Sequence, residues 1–278
     1  MMDFISVLKS IFIKRINFID IGAYHGDFTK NIIDNFTDYH GILIEPTINN
    51  YNVLQKRFFE KQHLKIFNSL LTNEKKEVCF NLYEDSAQNS TFKIIGNNIS
   101  GNEQIMFSDT LDYLLSEQNI SYKIDLIKID TQGNDLNILN GSVGTISKYR
   151  PVILTEFIFI PLYYGQGDYF RQLEFMSYHK YSLIGLYNIH YNEADILSFA
   201  DLLFVPNEIY NTLAINHSPF SNYKTSDSLL LSQENNKLKL VCEERLQEIN
   251  KLSIEAQKRL DIINLLNKEL EKYKGNKT

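Results

Sequence analysis

From residue 16 to residue 207 the chain repeats one rhythm: a short unbroken apolar run, then a stretch with helical spacing. The apolar runs are "INFIDIG" (16–22), "YHGILIEP" (39–46), "HLKIFNSLL" (63–71), "KIDLIKID" (123–130) and "PVILTEF" (151–157). The helical stretches are "FTKNIIDNF" (28–36), "INNYNVLQKRFFE" (48–60), "TLDYLLSEQN" (110–119), "NDLNILNGSVGTISKY" (134–149) and "DYFRQLEFMSYH" (168–179). A strand with one wet face alternates apolar and polar residues. These runs do not, so the sheet they form must be covered on both faces. A further run, "KEVCFNLYE" (76–84), reads as a hairpin partner of the third strand. The last two runs, "YSLIGLYNI" (181–189) and "ADLLFVPN" (200–207), leave too little chain between them for a crossover helix, which predicts an antiparallel hairpin at the sheet edge. The expected fold is α/β: a Rossmann-like, doubly wound, seven-stranded, mostly parallel sheet with its ligand beyond the carboxyl ends of the strands.

The rhythm fills residues 1–215, read as one domain. A linker rich in Ser and Asn is expected over 216–232. Residues 233–273 then contain no Pro or Gly. Leu238, Cys242, Ile249, Leu252, Ala256, Ile263, Leu266 and Leu270 follow a three-four spacing there, so 233–278 is expected to form a long helix, a coiled coil. Such a helix serves self-association into a homo-oligomer or docking to a glycan-assembly protein; folding back on the domain is the alternative. The net charge of −6 argues against a nucleic-acid partner. Cys79 and Cys242 form no disulfide framework and no zinc spacing, which fits a reducing compartment. Lys9 and Lys14 interrupt the apolar N-terminus, which reads as an amphipathic helix rather than a signal peptide. No stretch of about 18 apolar residues exists to make a transmembrane span. A cytoplasmic location, peripheral to the inner face of the membrane, is the expectation.

The first strand ends "FIDIGAYHGDFT" (18–29). Gly22 lets the chain leave the strand in a tight turn, and Gly26 lets the next helix pack close to it. The turn's backbone N–H groups, through Ala23 and Tyr24, are expected to be available to a ligand. A dinucleotide turn carries Gly-x-Gly-x-x-Gly to receive a pyrophosphate. Here the middle glycine is missing, and Asp20, two residues before Gly22, would repel a pyrophosphate but hold an ammonium. Glu45, followed by Pro46 at the end of the second strand, suits the two hydroxyls of a ribose. Both NAD and S-adenosylmethionine need such an acid, but the combination with Asp20 favours S-adenosylmethionine. Asn68, Ser69 and Leu70 follow the third strand, near where an adenine would lie. The polar loop "SAQNST" (86–91) offers Asn89 and Ser90 as a cover.

With "ILIEP", "LDYLL", "DLIKIDTQGNDLNILNG" and "PVILTEF" in order after this turn, the chain resembles the FkbM-type methyltransferases over Phe18 to Pro206. The most specific segment is "IKIDTQGNDLNILNG", where Gln132 stands in place of the family's usual Glu; Tyr24 stands where the family commonly has Asn. The resemblance implies a class I fold, S-adenosylmethionine as methyl donor, and mostly O-methylation, often of sugars or natural products. Asp130, at the end of "DLIKID", is then a candidate base or acceptor-orienting group, or else a structural partner of Lys128. Glu156 is a second candidate base, and His25 in the turn a third. His190 and Tyr191 are candidates for an acceptor wall. No dedicated metal site is expected, since the six histidines are scattered. The acceptor expected is a sugar or glycan hydroxyl. A small secondary metabolite, a protein side chain, an NAD-linked reaction and a non-catalytic scaffold are the alternatives.

Overall fold

The structure, a computed structural model, describes residues 4–95 and 101–217. The expected linker beyond His217 and the expected helix over 233–278 lie outside the described residues. Residues through Leu213 form one compact unit.

Seven strands make the central sheet: β1 (Arg15–Ile21), β2 (Asp38–Ile44), β3 (Leu64–Phe67), β4 (Leu126–Ile129), β5 (Val152–Ile158), β6 (Tyr181–Tyr191) and β7 (Leu197–Pro206). Their order is β3-β2-β1-β4-β5-β7-β6. All pairs among the first five strands are parallel, while β7 runs antiparallel to both β5 and β6. The order reverses between β1 and β4, and that crevice is where an open α/β sheet receives its ligand.

Successive side chains on a strand point to opposite faces. Ile16, Phe18, Leu43, Leu126, Leu154 and Leu203 face one way, onto α1 (Phe4–Ile11), α2 (Asp27–Asn35) and α3 (Ile48–Arg57). Ile19, Ile21, Ile44, Ile127, Ile129 and Ile153 face the other way. They meet α4 (Leu111–Glu117), α5 (Asp135–Asn140), α6 (Val143–Tyr149) and α7 (Tyr169–Tyr178). Every residue of β5 is buried, as its unbroken apolar run requires.

Three expectations are corrected. The run 63–71 is not one strand. It breaks at Asn68 and Ser69, and Leu70–Leu71 joins a separate three-stranded sheet. The run 76–84 does not pair with it. Its strand, Lys76–Leu82, pairs antiparallel with Asn102–Asp109, a strand the sequence reading missed. The helix expected over 134–149 breaks at Gly141 and Ser142. A Cβ on Gly141 would sit 2.2 Å from the Thr72 carbonyl oxygen, so the small sheet passes too close for any side chain. The break exposes a fresh helix start, and Asp112 caps it: Gly144 N and Thr145 N each donate to its carboxylate at 2.7 Å.

Candidate active site

The turn after β1 is built by close approach. Gly22 takes a φ of 72°, and a Cβ there would lie 1.9 Å from the Asp130 carbonyl oxygen. Gly26, at φ 85°, starts α2; its Cβ would lie 2.5 Å from the Phe58 ring. Contrary to expectation, the amides of Gly22, Ala23, Tyr24 and Gly26 are not free. Gly22 N and Ala23 N both donate to the Ile44 carbonyl (3.0 and 3.2 Å), and Gly26 N donates to Ala23. Tyr24 N donates to Glu45 Oε2 at 2.9 Å. The turn is therefore stapled to the end of β2, and the staple fixes Glu45. Tyr24 has a φ of 48°, in the left-handed region that a short Asn tolerates better than an aromatic side chain.

Glu45 is 4% exposed, and Thr47 N and the Asn50 amide donate to Oε1 at 3.0 and 3.4 Å. Burial pushes its carboxyl above the ordinary range, against the pull of the Thr47 and Tyr24 amides. An open cleft with a cavity volume of about 160 Å³ begins beside it. Gly22, Tyr24, Glu45, Pro46, Ser69, Leu70, Asn89 and Asp130, all expected site residues, line this cleft. Its apolar wall comes from Ile44, Leu70, Leu71, Phe80 and Ile138. Phe80 and Ile138 were not foreseen, because each reaches the cleft from an element distant in sequence. The loop 86–91 makes a roof. Asn89 donates to Thr47 Oγ1 (3.3 Å) on one side, and Ser90 Oγ donates to the Gln132 carbonyl (2.7 Å) on the other.

The other expected residues frame the cleft without lining it. Ala23 is buried in the core. Asn68 donates to the Glu45 and Pro46 carbonyls at 2.9 and 2.8 Å, bracing the end of β2. Ser90 is spent on Gln132, and Gly26 on helix packing. His25 stacks on Tyr24 with ring centroids 3.8 Å apart and lies outside the cleft wall.

Asp20, expected to face the ligand, is fully buried and does not line the cleft. Thr29 Oγ1 donates to it at 2.7 Å, and its counterion is internal: Lys128 Nζ lies 3.5 Å from Oδ1. The two residues are register partners on β1 and β4. Lys128 Nζ also lies 3.3 Å from Asp130 Oδ2 and donates to the Gly22 carbonyl at 3.0 Å. Burial pulls the Lys128 ammonium down, but Asp130, Asp20 and Asp201 outweigh it and hold it above the usual lysine range. For Asp20 burial wins over Lys128 and raises the carboxyl. Lys128 is thus an ion-pair member that ties the floor under Asp20 to the cleft wall at Asp130.

Asp130 is reached from the cleft, with its side chain 35% exposed. Gln132 Nε2 donates to its Oδ1 at 3.1 Å, and Gln132 Oε1 accepts from the Tyr163 hydroxyl at 2.6 Å. A glutamate at position 132 would set a second carboxylate against Asp130; the amide donates to one partner and accepts from the other. Glu156, at the end of β5, is 8% exposed. Burial, then repulsion from Asp130, Asp135 and Asp201, raises its carboxyl well above the ordinary range. Among the described residues no group of three or more His, Cys, Asp or Glu is arranged to hold a metal ion.

The donor set fits S-adenosylmethionine. Glu45 receives amide hydrogen bonds on both oxygens yet keeps acceptor capacity for a ribose hydroxyl. The apolar wall beside it suits a purine, and Asp130 lines the same cleft. When bound, this cofactor supplies an electrophilic methyl group on a sulfonium.

Comparison with known proteins agrees with the geometry. The Methyltransferase FkbM domain matches residues 20–183, more than half of the chain. A search of curated protein sequences returned no match. Among solved structures, the methyltransferase FkbM from Methylobacillus flagellatus is 16% identical with a TM-score of 0.45; the alignment covers 68% of this chain and 43% of that one. The chain therefore spans less than half the length of that protein. Precorrin-6y C5,15-methyltransferase from Geobacter metallireducens aligns at 10% identity and a TM-score of 0.42, over 72% of this chain and 86% of its own. A SAM-dependent methyltransferase from Aquifex aeolicus aligns at 9% and 0.38, over 72% and 88%. The chain belongs to the FkbM methyltransferase family and is an S-adenosylmethionine-dependent methyltransferase.

Proposed function

We propose that the enzyme methylates a hydroxyl of a sugar, in a surface glycan or its precursor. The observation that supports this reading is the pair Asp130 and Glu156: Asp130 lines the cleft, and Glu156 lies buried on the neighbouring strand, two residues past the register partner of Lys128. A sugar hydroxyl must give up its proton as its oxygen is methylated, and a positioned carboxylate can take it. Asp130 is the carboxylate that lines the cleft with its side chain partly exposed, so it is the base: the hydroxyl O–H bond breaks and the proton passes to the Asp130 carboxylate. Glu156 is desolvated and crowded by other acids, which favours its protonated form, so it donates a hydrogen bond to the acceptor. Orientation of the oxygen supplies much of the rate.

The test uses the full-length chain with S-adenosylmethionine and two acceptor panels, methyl glycosides and primary amines, with products read by mass spectrometry. A glycoside heavier by one methylene unit, with Asp130→Asn lowering kcat at least about a hundredfold, is expected. Transfer to amines alone would overturn the reading. Oligomerisation through residues 233–278 and docking to glycan-assembly proteins remain part of this proposal.

A further inference from the structure

The register of the sheet places a third acid beside the first two. Lys128 pairs with Leu154, and Leu154 with Leu203. Residues two apart on a strand share a face. Two residues beyond Lys128 and Leu154 come Asp130 and Glu156. Two residues back along antiparallel β7 comes Asp201, directly opposite Glu156. The three carboxyl groups therefore form one row across the carboxyl ends of β4 and β5 and the amino-terminal half of β7, on the Lys128 face.

The row has an unfilled hydrogen-bonding atom at its centre. Glu156 Oε2 is buried and has no hydrogen-bond partner among the described residues. Buried polar atoms in native proteins find a partner, and water or a ligand supplies it when the protein does not. Asp201 is steadied from the outer side, where Asn188 Nδ2 donates to Oδ2 at 2.7 Å. Asn188 has a φ of 45°, and the β6–β7 register slips between Tyr187 and His190 and again before Tyr191. Such irregularities re-aim side chains next to active sites. Here they leave the His190 ring stacked on Phe199, 4.3 Å between centroids. The family match stops at residue 183, so all of this hairpin after Leu183 lies beyond the matched residues.

We propose that Asp201 is an acceptor-binding residue and that the β6–β7 hairpin sets acceptor specificity. Asp130, Glu156 and Asp201 take hydroxyls of one polyhydroxyl ring, and the His190–Phe199 stack covers its C–H face. The weakly positive C–H edge of a sugar suits the negative face of an aromatic ring. This inference rests on the sugar O-methyltransferase reading above.

The experiment is saturation-transfer NMR on the full-length chain with saturating S-adenosylhomocysteine and methyl glycosides of hexoses and 6-deoxyhexoses. Wild type is compared with Asp201→Asn and Asn188→Ala, with S-adenosylhomocysteine affinity measured by calorimetry in each as the control for folding. Glycoside binding weakened about tenfold in Asp201→Asn, less in Asn188→Ala, with cofactor affinity held, is expected. Equal glycoside binding by wild type and Asp201→Asn overturns the role of Asp201 and leaves the sugar reading standing. A wild type that binds S-adenosylhomocysteine but no glycoside overturns the sugar reading, and this inference with it.

Discussion

Replacing Lys128 by Met tests the electrostatic floor of the site. The side chain is 12% exposed and serves three acceptors: Asp20 at 3.5 Å, Asp130 at 3.3 Å and the Gly22 carbonyl at 3.0 Å. Asp130 is partly exposed and can turn to water. Asp20 is fully buried and would keep only its Thr29 hydrogen bond. Removing one partner of a buried ion pair typically destabilises by about 3–5 kcal/mol, because the other charge stays behind. Removing the desolvated lysine itself offsets part of this, so a loss of ~3 kcal/mol is expected, a sizeable share of the ~5–15 kcal/mol of an ordinary domain. The loss should shrink at low pH. With Lys128 gone, the folded-state pKa of Asp20 climbs further above its unfolded value. The native state then holds a proton that the unfolded chain releases, so stability is present below about pH 4 and lost as pH rises. Adding Asp20→Asn to Lys128→Met removes the stranded charge and should recover most of the deficit. The chain has no tryptophan, so urea unfolding is followed by circular dichroism, at pH 5 and pH 8. A loss under ~1 kcal/mol for the single variant, or a double variant no better than the single, would refute the assignment of Lys128 as the counterion of Asp20.

Gly22→Ala forces a Cβ to within 1.9 Å of the Asp130 carbonyl oxygen at a φ of 72°. A loss above ~2 kcal/mol and loss of S-adenosylhomocysteine binding by calorimetry are expected, since backbone on both sides must move. Asp112→Ala removes the cap on α6, including the Thr145 hydroxyl bond at 2.6 Å, and should lower stability by ~1–2 kcal/mol in thermal melts without changing cofactor affinity. Asp135 has its carboxyl pushed up to about 7 by burial and then by Asp130. Its folded pKa lies above its unfolded value, so this group's contribution is full below about pH 4 and is lost as pH rises through about 7, by at most ~1.4 kcal/mol per pH unit. Asp135→Asn should flatten the urea midpoint over that window and leave the variant more stable than wild type at pH 8; an unchanged pH profile counts against the shift.

Much of the frame is written locally. Unbroken apolar runs can only be strands covered on both faces, and β1, β2, β4 and β5 lie where those runs stand. Glu45 was legible because an acid between an apolar run and a proline sits at a strand end wherever the strand goes. The same local reading merged Leu64–Phe67 with Leu70–Leu71, because two short apolar pieces in series look like one. It missed Asn102–Asp109, whose Ile105 and Phe107 point to solvent and leave no core-facing signature. It also ran the helix through Gly141, whose reason for being glycine is the Thr72 backbone pressed against it.

The sequence by itself determined which segments become strands and helices and which chain ends carry acids, since periodicity and turn chemistry act over a few residues. Only the tertiary structure decided what those acids do. Asp20 and Lys128 are 108 positions apart in the chain and neighbours in register, so the acid that seemed ready for a ligand is neutralised from within. Amides that a turn seemed to leave open are taken by the carbonyl of the next strand. Asp201 joins Asp130 and Glu156 because β7 inserts antiparallel beside β5. Strand register is a long-range choice, fixed by the packing of both sheet faces at once, and no short window of residues contains it.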